Sequence, residues 1–178
     1  PPVAVCKDAY VYLDETGNAR IKASDIDGGS TDNCGLLSIT ASQTNFNCED
    51  LGLVNVTLMV KDVYNNISSC IAPVYVSDLI FPVAKCKDIT VSVDGGVTTI
   101  TASDIDDGST DNCGIAVMKL SKTDFTIVDM GTNKVTLTAL DKTGYFGSCE
   151  AVVTVGDYTA PDVKCNPIDI VLDESGAY

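Results

Sequence analysis

The sequence contains no histidine and no tryptophan. Missing imidazole removes the commonest general base, the Ser-His and Cys-His nucleophile pairs and most zinc sites. Basic residues are scarce: 11 Lys and Arg stand against 25 Asp and Glu, for a formal net charge of −14. A surface of that sign repels nucleic acid and anionic membranes, and it suits a protein that holds divalent cations outside the cell. No apolar run approaches the roughly 18 residues a membrane-spanning helix needs. No window keeps a 3.6-residue apolar period long enough for a helix. Neither a G-x-S-x-G elbow nor a phosphate-binding loop occurs, and no acid/base constellation is visible, so the sequence reads as non-enzymatic.

What is there is a duplication. Residues 23–35 read ASDIDGGSTDNCG and residues 102–114 read ASDIDDGSTDNCG, differing only at Gly28 against Asp107. Asp25 returns as Asp104, Cys34 as Cys113 and Cys70 as Cys149 at one constant interval, and Cys6 returns as Cys86 and Cys165. This divides the chain into a module at 1–79, a second at 80–158 and the start of a third at 159–178. The opening Pro1-Pro2-Val3 carries no leader pattern, so the expectation is a segment of a longer array whose targeting and anchoring parts lie elsewhere.

Within a module the apolar pattern is that of strands. Apolar side chains fall at every second position at Val54, Val56, Leu58 and Val60, Ala19 to Ala23 alternates apolar and polar, and Asp62-Val63-Tyr64-Asn65-Asn66 is a hairpin turn by its Asn content. Pro73 in the last strand suggests an edge or a bulge. Roughly seven short strands per module with turns between them predict an all-β fold of tandem Ig-like β-sandwiches arranged end to end. The join at 77–82 is short and not rich in Gly or Ser, which keeps neighbours close.

A module of about 80 residues has a thin core and gains from staples or metals. The 8 cysteines in a repeated β-rich chain read as disulfides formed in an oxidising compartment. First and last strands of a sandwich lie close, which pairs Cys6 with Cys70 and Cys86 with Cys149. Each bridge closes a loop of roughly 65 residues, worth about 4 kcal/mol on a chain-entropy account. Cys34 is expected to pair with Cys48. Module two lacks the Cys48 equivalent, so Cys113, like Cys165, has no local partner and is left to join another module or chain, or to stay a thiol.

The duplicated loop is the candidate metal site. Asp25 and Asp27 flank Ile26, and in extended chain both carboxylates would point one way; Asp32 and Asn33 come back after Gly28-Gly29-Ser30. The second copy offers Asp104, Asp106, Asp111 and Asn112, and Asp62 and Asp141 stand where a late strand enters its hairpin. Clustered hard oxygens in irregular geometry suit Ca2+ better than Mg2+. The loop is not an EF-hand, because its twelfth position, counted from Asp25, is Leu36 rather than Glu. The competing reading is a set of Asx-turns in which these side chains bond nearby backbone N–H groups. Asp78 and Asp157 at the joins read equally well as solvated linker residues or as cation ligands between modules. Tyr10, Tyr12, Tyr64, Tyr75 and Tyr145 read as a sugar-binding platform or as ordinary cross-strand pairs.

The order PPVAVCKD, ASDIDGGSTDNCG, then VTLMVKD before a late Cys resembles hyalin-repeat-like (HYR-like) modules, and more narrowly the repeats of very large surface adhesins of gliding Bacteroidota. The resemblance covers both modules and the third fragment; the acidic string is its most specific part. It implies Ig-like folds, export to the cell surface, and a role in adhesion or gliding. The chain departs from the pattern at the missing Cys48 equivalent and in the turn at 62–66, which lacks Gly-Asn. Two functions follow: a stalk segment stiffened by Ca2+ and disulfides whose partners are neighbouring repeats, or a module whose own surface binds polysaccharide or protein.

Overall fold

The computed structural model describes residues 1–160 and 163–165. The strands expected of a third module lie almost wholly outside them. The first module contains β1 (Ala9–Tyr12), β2 (Asn18–Arg20), β3 (Leu36–Ala41), β4 (Asn45–Asn47), β5 (Gly52–Asp62) and β6 (Ile67–Ser77). The second repeats this as β7 (Ile89–Ser92), β8 (Thr98–Thr99), β9 (Ile115–Leu120), β10 (Asp124–Phe125), β11 (Gly131–Asp141) and β12 (Phe146–Gly156). In the first module a four-stranded sheet, β1-β6-β5-β3, is accompanied by the small ladder β2-β4; in the second, β7-β12-β11-β9 accompanies β10-β8. The fold is all-β, two Ig-like sandwiches in tandem, with β1 and β7 running parallel to the last strand of their modules.

The period-2 pattern places the core. Val56, Leu58 and Val60 on β5 and Ala72, Val74 and Val76 on β6 are buried, and Phe46, Ile21 and Ile26 pack against them. Val135, Leu137, Ala151, Val153, Val155, Phe125, Ile100 and Ile105 build the second core in the same way. Cys6–Cys70 and Cys86–Cys149 are bonded, tying the segment before the first strand to the last strand in each module.

Three expectations need correction. Each module has six strands rather than roughly seven. The acidic loop does not begin in extended chain: it opens with one helical turn, α1 (Ala23–Ile26) and α2 (Ala102–Ile105). A turn of four residues is too short to leave a periodic signal; it is held by its cap and by its buried isoleucine. Pro73 sits on β6, an interior strand between β5 and β1. Pairing with β1 begins only at Val74, so at Pro73 the strand is paired on one side alone.

Burial on these faces sets the energetics. Replacing fully buried Leu58 with Ala should lower unfolding free energy by about 2–5 kcal/mol. Replacing exposed Ile71 with Ala should change it by less than about 0.5 kcal/mol. Urea denaturation followed by circular dichroism separates the two outcomes.

Candidate metal centre

The acidic segment is divided between two jobs. Its first half builds the turn. Asp25 Oδ2 accepts the Lys22 N–H at 2.7 Å, and Asp104 Oδ2 accepts the Thr101 N–H at 2.7 Å, each capping its helical turn. Asp27 Oδ1 accepts the N–H and the hydroxyl of Ser30 at 2.9 and 2.6 Å. Asp106 Oδ1 takes the same bonds from Ser109 at 3.0 and 2.5 Å. The Ser hydroxyl and then the backbone amides hold the Asp106 carboxyl below its ordinary range, and the Ser30 hydroxyl does so for Asp27 against some desolvation. These four carboxylates have the local partners of the Asx-turn reading.

The second half reaches across the join. Asp78, just past β6, meets Asp111 of the second acidic loop and Asp141 at the end of β11; one carboxylate oxygen from each lies within 4.8 Å of the others. Asp78 and Asp141 are buried and Asp111 is half-buried. Each carboxylate is pinned through one oxygen. Asp141 Oδ1 accepts the N–H groups of Thr143, Gly144 and Tyr145 at 2.7–2.9 Å. Asp111 Oδ1 accepts the Cys113 N–H at 2.9 Å. Asp78 Oδ1 accepts the Ile80 N–H at 3.1 Å and the Asn112 side-chain amide at 3.1 Å. The same amide donates to the Asp14 carbonyl in the first module at 3.1 Å.

The remaining oxygens, Asp78 Oδ2, Asp111 Oδ2, Asp141 Oδ2 and Asn112 Oδ1, are buried and lack a hydrogen-bond partner among the described residues. Burying one such oxygen unpaired costs free energy; gathering three carboxylates without a counter-charge costs more. Ligands on Ca2+ at about 2.3–2.6 Å lie no more than about 5 Å apart across the ion. The cluster's spread fits that ion, and its donors are the hard oxygens Ca2+ prefers. Three carboxylate oxygens leave room for amide or backbone carbonyls or water to complete the shell.

The structure thus unites Asp111, Asn112 and Asp141 among the residues marked in the sequence, and adds Asp78. The signal for Asp78 was its recurrence as Asp157 at the second join, where Asp157 Oδ1 likewise accepts a backbone N–H two residues on. In the first module the counterparts Asp32, Asn33 and Asp62 keep the same local frame. Asp32 Oδ1 accepts the Cys34 N–H at 2.8 Å, and Asp62 accepts the N–H groups of Tyr64 and Asn66 at 2.8 Å.

The expected Cys34–Cys48 bridge is not formed. Cys48 bonds Cys113 across the join, while Cys34 is an exposed free thiol, as is Cys165. The two acidic loops are equivalent, and the turn carrying Cys48 faces the second one: its sulfur lies 3.5 Å from the Asn112 carbonyl. The bridge and the carboxylate cluster therefore flank the same contact. Of the tyrosines, Tyr10 and Tyr75 form a stacked cross-strand pair with centroids 5.1 Å apart, and Tyr145 packs against Phe81 of the join at 4.6 Å.

No family model and no curated protein matches the chain. Among solved structures it is similar to a protocadherin GammaB4 extracellular domain, at 15% identity and a TM-score of 0.42, covering 86% of this chain and 32% of that one. It is also similar to human mucin-like protocadherin EC1-2, at 12% identity and a TM-score of 0.42, covering 88% and 98%. Fibronectin(III)-like modules of Clostridium thermocellum CbhA are similar at 10% identity and a TM-score of 0.36, covering 94% and 100%.

Desolvation, and then the charges of Asp78 and Asp141, raise the Asp111 carboxyl above its ordinary 3.8 against the pull of the Cys113 amide. Between 3.8 and the raised value the native state holds more protons than the unfolded chain, so stability falls as pH rises through that window. In chelator, Asp111→Asn should therefore raise the melting temperature at pH 7, and the gain should shrink as pH falls and vanish below 3.8, where both states are protonated. Calorimetric scans at a series of pH values check both halves.

Proposed function

We propose that this chain is a repeat segment of a secreted cell-surface adhesin, a non-enzymatic stalk in which Ca2+ and a disulfide lock each module to its neighbour, serving adhesion or gliding motility. The modules are residues 1–79 and 80–158, with a third starting at 159. The observation that carries this reading is the set of four buried, unpartnered oxygens contributed by both sides of the join. A dication there, held by Asp78, Asp111, Asn112 and Asp141, ties the end of β6 to the second module's loop and hairpin. Cys48–Cys113 fastens the same contact from another side, so the join at 77–82 loses its freedom to hinge. The resemblance to HYR-like repeats of gliding adhesins agrees with this and supplies the cell-surface setting. Disulfides agree with an extracellular location. Asp32, Asn33 and Asp62 are proposed as the corresponding half-site of the first module; Asp25, Asp27, Asp104 and Asp106 hold the turns.

Isothermal titration of the chelated chain with Ca2+ tests this directly. One saturable site should appear, and Ca2+ at about 100 times its Kd should add about 2.7 kcal/mol to stability. Asp78→Asn with Asp141→Asn should abolish both effects, while Asp27→Asn should keep them. Absence of binding heat and of any melting shift in the unaltered chain would sink the metal reading.

A second reading, a module that binds a ligand on its own surface, is favoured by one contrast. On the outer sheet face of the first module Tyr10, Tyr12, Leu53, Ile71 and Tyr75 are exposed. The matching positions of the second module are Thr90, Ser92, Thr132, Glu150 and Thr154. Saturable binding of a polysaccharide that is lost on replacing Tyr10 and Tyr75 with Ala would establish this role; a flat glycan-array response would leave the stalk alone.

A further inference from the structure

Cys34 and Cys113 occupy the same place in two nearly identical loops, yet one is free and exposed and the other is bonded and buried. The ties that hold the two cysteines within their modules match. Cys34 N donates to Asp32 Oδ1 at 2.8 Å and Cys113 N to Asp111 Oδ1 at 2.9 Å. Val3 bridges to Thr31 as Val83 bridges to Thr110, so each loop is tied to its module's opening residues alike. The difference is what stands in front. The second loop is covered by the first module, whose 48 turn supplies a thiol, whose Asp14 carbonyl accepts from Asn112, and whose Asp78 faces Asp111. The first loop presents Asp32, Asn33 and Cys34 uncovered, half-buried or exposed.

We infer that this face of the first module is a socket for a preceding copy of the same module, and that Cys34 is the receiving half of a second inter-module disulfide. The second copy is the internal comparison: there the same residues are engaged, the cysteine covalently. The incoming module must be of the first type. At the position of Cys48 the second module carries Ile127, which has no thiol to offer. Links of this kind therefore form behind modules that carry the cysteine and not behind those that carry isoleucine. The bond forms by thiol–disulfide exchange. The Cys34 thiol and the incoming thiol give up two protons and two electrons to a disulfide oxidant, which leaves as two thiols. This rests on the stalk reading for its biological setting, although the bond itself does not require the cation.

The test places residues 1–81 ahead of residues 2–178, which keeps the natural join, and folds the product with oxidised glutathione and Ca2+. Peptide mapping without reduction should find Cys34 of the second copy bonded to Cys48 of the leading copy. One fewer thiol should react with a thiol reagent than when Cys48 of the leading copy is Ser, and a second Ca2+ should titrate. The Cys6–Cys70 bonds in the same map report folding of both copies. With those intact, a Cys34 that stays free, or that pairs with any cysteine other than the leading Cys48, overturns the inference. The stalk reading fails separately, by loss of Ca2+ binding at Asp78, Asp111 and Asp141 while the new disulfide still forms.

Discussion

Three carboxylates gather at the contact between two sandwiches, and one buried oxygen of each, like that of the Asn112 amide, has no hydrogen-bond partner among the described residues. That imbalance is the constraint on which the arrangement of the join depends. Each carboxylate is fixed by backbone N–H groups through its other oxygen, in a hairpin, a loop and a linker respectively. The donors are thus positioned by the protein's own backbone, and the cation proposed above would offset the cost of holding them together. On the proposed reading, the ion would govern the geometry of the join while each module keeps its own core.

The division of labour among the aspartates follows from their partners. Asp25, Asp27, Asp104 and Asp106 have their charge met by amides and serine hydroxyls within a few residues. They shape the turn that carries the next residues forward. Asp111 and Asn112, at the far end of that turn, have fewer local donors and lie against the neighbouring module. One short segment therefore both folds itself and presents a docking tip.

The cysteines obey a related logic. Bridges inside a module shorten the unfolded chain and compensate for a core of about ten buried side chains per sandwich. The bridge across the join brings buried Cys113 of the second module into the first module's core cluster, with Cys48 packed against it. Its effect is on orientation, since a short linker restrains distance and a second attachment away from it restrains rotation.

The sequence by itself determined the sandwiches, because strand alternation needs only the period of two seen at Val54, Val56, Leu58 and Val60. It determined the module repeat and the Cys6–Cys70 and Cys86–Cys149 bridges, since first and last strands of such a fold are neighbours. It also marked Asp111, Asn112 and Asp141 as oxygen donors. It did not reveal which carboxylates have local amide partners, because that depends on a helical turn too short to leave a period. Nor did it reveal that Asp78 completes the cluster or that Cys48 reaches Cys113. Those contacts join residues in different modules, and only the path of the chain through the join brings them within reach.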